Sequence, residues 1–363
     1  MNEFVVAATR SMRKYKTKVI NQLVKIPSFM PLSYSIDGRG LLQTDCFADG
    51  ELEVSVKRSV RGMDVILLSS CTRNEAGLSV EQAKIELYHT IDALKRSHAR
   101  NILVFEPFIS CSRSDRTTRR NSVGLWIHFK TLASLGANHI ITYQLHSKIS
   151  QSIVDPVVCA LDDIRALSLL EKYLCDHYIK DLDYLYNTVR PNWAFCSVDA
   201  GGEHQVRDFA DAFGASLVVA HKQRDYSKTN SIKSMNILSA EPVEGKILWI
   251  VDDLIDTASS VENLIRALVP LKPAEINLIA VHALFSYPAV NILNNLHKEG
   301  LLNRVIVTDS IWPINEEIPN LEIVSSTDLA TRIIHTLMTN QSMSELMDRF
   351  DAEKYLGAPS LFA

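Results

Sequence analysis

A chain of 363 residues has room for roughly two domains of ordinary size. Its 47% apolar and 22% charged residues are those of a folded globular protein, and no apolar run nears the roughly 20 residues of a membrane span. A net charge of −4 gives no electrostatic case for a nucleic-acid partner, and six cysteines without a C-x-x-C pair argue for reduced thiols in the cytoplasm, not a zinc site or disulfide framework.

FVVAATRSMRKYKTKVINQLV, from Phe4 onward, reads as strand, loop and helix. The crowded Arg10, Arg13, Lys14, Lys16 and Lys18 imitate a targeting segment, but no signal-peptide core or cleavage-like site accompanies them. Further strands are expected at 64–69, 101–105, 139–143, 193–197, 216–220, 247–251, 275–281 and 304–308. Helical windows such as 80–96 and 122–135 lie between them. That alternation predicts an α/β protein with mostly parallel sheets flanked by helices on both faces. No Pro-rich or low-complexity linker interrupts it, so the domain boundary is compact and falls near residues 155–165. LVFEPFISCSRSD and LWIVDDLIDTASS also share a faint pattern of strand, acid and small-residue loop, as two related domains would.

Several segments carry chemistry. CFADGE sets Phe47 beside Asp49 and Glu51, an aromatic face with two acceptors suited to an adenine; a hairpin turn at Asp49-Gly50 is the plainer reading. CSRSDRTTRR brings Arg113, Arg116, Arg119 and Arg120 together, and the arginine fork binds phosphate oxygens bidentately; a solvated basic loop is the alternative. QLHSK puts His146 past a strand end, where it is either a metal ligand or structural. VDAGG puts Asp199 at another strand end, with glycines that let a ligand approach the backbone, although a plain turn reads the same. In AHKQRDYSKTNSIKSMN, Lys222 and Arg224 end a strand and a polar run follows, either an active-site lid with two cations or a solvated loop.

ILWIVDDLIDTASSV, residues 247–261, is the most informative stretch. A strand runs into Asp252, Asp253 and Asp256, then Thr257, Ala258, Ser259 and Ser260, before Leu264, Ile265, Leu268 and Val269 mark a helix. An ordinary N-cap at Asp256 or Thr257 accounts for one acid but not three. In open α/β sheets this strand end and helix start is where anionic ligands bind.

FADGE, SVRGMDVILLSS, IDALKRSHARNI, RSDR, LHS, DAGG, K-x-R, MNI and VDDLIDTASS, in this order, resemble ribose-phosphate diphosphokinase (phosphoribosyl pyrophosphate synthetase). VHALFSYPAV and VIVTDSI extend the resemblance, which spans about residues 40 to 345. It implies two tandem type I phosphoribosyltransferase-like domains, 1–160 on the ATP side and 161–345 with the ribose phosphate site and catalytic loop, followed by a 346–363 extension. It further implies transfer of diphosphate from ATP to ribose 5-phosphate with Mg2+, or Mn2+ in its place, in a homo-oligomer such as a dimer or hexamer. By position, Phe47, Asp49 and Glu51 would contact adenine, and Arg113, Ser114 and Arg116 would lie along the ATP. His146 and Asp199 would hold the metal, and Lys222 with Arg224 would serve the transferring diphosphate. Asp252 and Asp253 would take the ribose hydroxyls, and Asp256, Thr257, Ala258, Ser259 and Ser260 would cradle the 5-phosphate.

The chain departs from the family pattern at Gln144, where an acid is usual, and at Ser259 and Ser260, which replace a glycine and a threonine. It also carries an insertion near residues 176–191 and a longer tail from Leu346. These departures leave two alternatives: diphosphoryl transfer to a larger ribosyl acceptor such as ADP-ribose, and a non-catalytic regulatory subunit. A neutral amide attracts a divalent cation less than a carboxylate does. Gln144→Asp is therefore expected to lower the Mg2+ concentration that gives half-maximal rate, read from a metal titration; an unchanged requirement would show that the side chain points away from the metal.

Overall fold

Apolar runs bounded by turn residues become the strands of two parallel sheets. The computed structural model describes residues 3–27, 37–117, 120–198, 201–224 and 232–358, with 148–149, 222–224 and 232–235 by backbone alone. The first sheet takes β1 (Phe4–Ala8), β4 (Asp64–Leu68), β5 (Asn101–Phe105), β6 (His139–Tyr143) and β7 (Ala160–Ile164), in that spatial order and all parallel. β2 (Leu42–Cys46) and β3 (Leu52–Val56) form a separate antiparallel pair. The second sheet runs in the order β10 (Ile232–Ser239), β9 (Ser216–Arg224), β8 (Trp193–Ser197), β11 (Ile247–Ile255), β12 (Glu275–Ala283), β13 (Arg304–Thr308) and β14 (Leu321–Val324). Only the β10–β9 pair is antiparallel in it.

Alternation along the strands separates two faces. In the first sheet Val5, Val65, Leu67, Ile102, Val104 and Ile140 pack with helices Val80–Arg96 and Gly124–Leu135. Helix Val80–Arg96 opens with a capping box between Ser79 and Gln82 and buries Ala83, Leu87, Ile91 and Leu94 at helical spacing. In the second sheet Ala194, Cys196, Leu248 and Ile250 face helices Ser259–Leu268 and Ala289–Lys298. The opposite face is aromatic: Trp193 and Phe195 meet Phe213 of helix Glu203–Phe213, Phe195 also meets its Phe209, and Trp249 packs against Trp193. Among the described residues no helix is long and apolar enough to cross a membrane.

The chain divides into two compact units. The first comprises Met1–Arg165 with Ser310–Pro313 and Ser325–Met347; the second comprises Ala166–Asp309 with Ile314–Val324 and Asp348–Ala363. Helix Thr327–Thr339 thus belongs to the first unit, where Thr331 donates to Gln22 (2.8 Å) and Ser326 pairs with Tyr15 (2.7 Å). A reading of consecutive segments has no signal for such returns. The tail beyond residue 347 packs on the second unit: Arg349 pairs with Asp208, Glu353 with Arg190, and the Tyr355 hydroxyl donates to Asp176. Two of these partners, Asp176 and Arg190, border the inserted stretch, so tail and insertion support one another.

Several strands run further than their apolar stretches suggest. β11 continues through Ile255 because β12 continues beside it, pairing Asp252 with Ala280 and Ile255 with Ala283. β9 continues through Arg224 because β10 folds back on it. Helix 122–135 begins only at Gly124, and Val269 lies outside helix Ser259–Leu268, in an exposed turn. Phe213, fully buried and stacked on Phe195 at 5.4 Å, holds the aromatic face to its helix. Phe213→Ala is expected to destabilise the second unit by about 3–5 kcal/mol through the cavity it leaves. Denaturant unfolding checks this, the expected result being an earlier transition for that unit alone.

Candidate functional site

Connections diverge between β8 and β11. From β8 the chain moves to β9 on one side, and from β11 to β12 on the other, which opens a crevice at the carboxyl ends of these two strands. The β8–β11 ladder ends where Ser197 meets Val251. β11 then runs on, and places Asp252 half-buried and Asp253 buried (5% exposed) beyond the end of β8. The backbone N–H of Asp253 donates to the Asp252 carboxylate at 2.9 Å, which fixes the orientation of that acid.

Asp256 and Thr257 follow in a short turn, both partly exposed. Ala258 then takes a left-handed conformation (φ 62°, ψ 1°), and helix Ser259–Leu268 begins. Neither Asp256 nor Thr257 caps it: the N-cap position is Ala258, and no side chain caps the helix. Alanine is a poor N-cap and an uncommon left-handed residue, so this helix start is strained and its first N–H groups are open to an outside acceptor. Ser259 and Ser260 stand exposed at the same end, and Thr257 donates to Ser259 at 3.3 Å. Open N–H groups and hydroxyls at a helix start, next to three carboxylates, are the arrangement that suits an anion.

β9 rises beside this crevice. Its ladder with β8 stops at Val219, opposite Ser197, and its backbone carries Lys222 and Arg224 onward opposite Met235 and Ile232. Within the polar stretch 220–236 the described residues, 220–224 and 232–236, are paired strand, because β10 supplies ladder partners. The side chains of Lys222 and Arg224, and residues 225–231, lie outside the described residues, as does Asp199 beyond β8.

In the first unit the arginine segment follows β5. Ser114 closes this loop on helix Gly124–Leu135: its Oγ accepts from the Gly124 N–H (2.9 Å) and its carbonyl from Leu125 (3.1 Å). Ser114 is thereby half-buried, while Arg113, Arg116 and Arg120 are exposed and Arg119 lies outside the described residues. His146 is exposed past β6, two residues beyond Gln144, which has φ 43°. The hairpin β2–β3 makes the turn at Gly50 (φ 93°): Asp49 accepts from the Glu51 N–H (3.0 Å), and Phe47 is left 52% exposed at the tip. Turn and exposed aromatic coexist there.

Among the described residues no group of three or more His, Cys, Asp or Glu side chains is arranged to hold a metal. Magnesium does not need one, since it keeps several waters and takes one or two carboxylates plus substrate phosphates. The carboxylates of Asp252 and Asp253 are hard donors that fit this ion, whereas the imidazole of His146 suits a contact through water. Burial raises the Cys71 thiol and pushes Cys111, Cys175 and Cys196 up to about 12 and Cys159 to about 11. One pair escaped the sequence reading: Glu106, directly after β5, meets His128 of helix Gly124–Leu135 in the interior. An acid ending the apolar run NILVF was the available signal.

The chain matches the family model for the N-terminal domain of ribose phosphate pyrophosphokinase over residues 5–136, and that for the phosphoribosyl transferase domain over residues 170–290. It is 32% identical to the ribose-phosphate pyrophosphokinase of Bifidobacterium longum over 321 residues, covering 87% of each chain. The corresponding protein of Aquifex aeolicus is 30% identical over 312 residues, 85% of this chain and 92% of its own. The crystal structure of phosphoribosylpyrophosphate synthetase from Mycobacterium smegmatis shares the fold, with a TM-score of 0.74 and 24% identity over 94% of this chain and 100% of that one.

The left-handed Ala258 gives the cradle a sharp test, because a β-branched side chain is a genuine outlier at positive φ. Ala258→Val is expected to add strain of about 1–1.5 kcal/mol, and so to weaken retention of a phosphorylated sugar about tenfold. Calorimetric titration reads this directly, with circular dichroism confirming the fold; unchanged affinity would place the anion elsewhere.

Proposed function

The chain belongs to the ribose-phosphate pyrophosphokinase family, and from that premise we propose that it transfers the diphosphate of ATP to the anomeric hydroxyl of ribose 5-phosphate. The products are phosphoribosyl pyrophosphate and AMP. Both units are α/β and phosphoribosyltransferase-like, and the observation that carries the reading is the uncapped helix start at Ala258 beside Asp252 and Asp253. A ribose phosphate needs both features: N–H and hydroxyl donors for the 5-phosphate, and carboxylate acceptors for the ring diol.

The anomeric oxygen attacks the β-phosphorus in line, the bridge between α- and β-phosphorus breaks, and the hydroxyl proton is released as AMP departs. Catalysis of this kind is positioning and charge neutralisation. Thr257, Ser259 and Ser260 hold the 5-phosphate, and Asp252 and Asp253 orient the sugar hydroxyls. Arg113 and Arg116 bind along the polyphosphate, with Ser114 closing their loop, and Phe47, Asp49 and Glu51 take the adenine. Lys222 and Arg224 neutralise charge on the moving diphosphate. Mg2+, or Mn2+ in its place, supplies further positive charge when bound, and Asp252, Asp253, Asp199 and His146 are the residues that would hold it or its waters. The same reading makes the protein a cytoplasmic homo-oligomer.

Phosphorus NMR of the purified chain with ATP, Mg2+ and ribose 5-phosphate tests the proposal. AMP and phosphoribosyl pyrophosphate are expected; efficient turnover of ADP-ribose with little of ribose 5-phosphate would replace the acceptor, and no AMP at all would leave a regulatory subunit. Lys222→Ala is expected to keep the fold and reduce turnover by at least ~10²-fold, the scale for losing one preorganised charge-stabilising group. Steady-state AMP release measures it.

A further inference from the structure

The interior of the first unit holds a polar chain where an apolar core would serve packing equally well. Glu106 and His128 are 0% and 1% exposed at their side chains, and His128 Nε2 lies 2.7 Å from Glu106 Oε2. The other ring nitrogen, Nδ1, lies 2.9 Å from the hydroxyl of Tyr88 on helix Val80–Arg96. A carboxylate can only accept, so Nε2 carries the proton and donates to it; Nδ1 then accepts from the Tyr88 hydroxyl. Burial, foremost, raises the Tyr88 phenol and keeps it a donor. The Cys71 thiol is likewise raised by burial and then by Glu106, which marks it as a neutral group beside the carboxylate.

The placement matters more than the chemistry of the pair. Glu106 sits in the anchored stem of the arginine loop: it follows β5, its N–H donates to the Ile141 carbonyl of β6 at 3.0 Å, and the next carbonyl, of Pro107, accepts from Tyr143 at 3.2 Å. His128 is in the second turn of the helix that receives the loop, and Ser114 grips the first two N–H groups of that same helix. The two stems of the segment 107–123 are therefore tied to each other at Glu106–His128, with Tyr88 tying both to a third element. A buried polar contact of this kind is weak support for stability, since well-packed apolar residues do as well, but its hydrogen bonds are directional and fix one geometry.

We propose that Glu106 and His128 are positioning residues, a cross-brace that sets the arginine loop for the polyphosphate of the nucleotide. This rests on the reading of Arg113 and Arg116 as nucleotide contacts. Single truncations would leave a buried charge unpaired and threaten folding, so the informative variant is the apolar pair Glu106→Leu with His128→Leu. Its melting temperature is expected to equal or exceed that of the parent. Its Kd for ATP is expected to rise about tenfold, within the ~10²-fold that misplacement by 1 Å can cause, while its Kd for ribose 5-phosphate stays unchanged. His128→Gln, which keeps an N–H donor for Glu106, is expected to bind ATP within about threefold of the parent.

Equilibrium binding of ATP and of ribose 5-phosphate to the parent and both variants reads all of this. A folded double variant with the parent's ATP affinity overturns the brace, as does an equal loss for both ligands. A parent that binds ATP without forming phosphoribosyl pyrophosphate overturns the function while the brace is still judged by Kd. A parent that does not bind ATP overturns both.

Discussion

The ladder between β8 and β11 ends one residue before the first acid of the site, at Ser197 opposite Val251, and much else follows from where it ends. Up to that point β11 is hydrogen-bonded on both sides, and Leu248 to Val251 are buried. Past it, among the described residues, the strand pairs with β12, through Asp252, Leu254 and Ile255. One edge of β11 is thus released into the crevice while the other stays rigid. Acids could not sit earlier on this strand without entering a dry interior, where an isolated carboxylate is very costly. Later they would lie on a turn without the ladder to hold them. The sequence change from Val251 to Asp252 marks the point where one neighbouring strand stops.

This explains what could be read in advance. Strands 101–105, 139–143, 193–197 and 304–308 coincide with β5, β6, β8 and β13 because their apolar runs are bounded by polar or turn residues at both ends. Polarity misled where a strand carries the site: Asp252 and Asp253 look like the end of β11, and His221 to Arg224 like the end of β9, although backbone pairing continues through both. β7 was passed over for a related reason, as ALDDI is polar at its centre and its acids serve partners: Asp162 pairs with His139, and Asp163 accepts from the Leu145 N–H. Period and hydropathy report burial, and these segments are strands without being uniformly buried.

The site was legible as residue types in order, less so as local geometry. Three acids followed by small hydroxyl residues at a strand end suggested an anionic ligand, but nothing announced that Ala258 would be the N-cap in a left-handed conformation. A glycine there would have signalled the turn, whereas alanine conceals it. Ser114 shows the opposite case. The resemblance implies a nucleotide contact for it, and the structure adds a local role that residue type did not signal: its Oγ accepts from the Gly124 N–H and closes the loop.

Comparing the two units explains why their loops solve the same problem differently. Each runs from an apolar strand through an acid into a loop and then a helix. In the second unit the acids lie at the end of β11 and the turn is only three residues long, 256–258, so the helix start is uncapped and, on the proposed reading, its own N–H groups meet the anion. In the first unit the acid, Glu106, turns inward to His128, and the loop spans 107–123. Its helix start is not open, because Ser114 already occupies the N–H groups of Gly124 and Leu125. On the proposed reading of Arg113 and Arg116 as nucleotide contacts, a polyphosphate there meets side-chain cations, because these backbone donors are already engaged. Side chains on a long loop are less preorganised than a helix terminus, and each ordered arginine gives up rotamer freedom. A long loop that must present guanidinium groups in one arrangement needs its stems held firmly, and the buried Glu106–His128 contact joins those two stems.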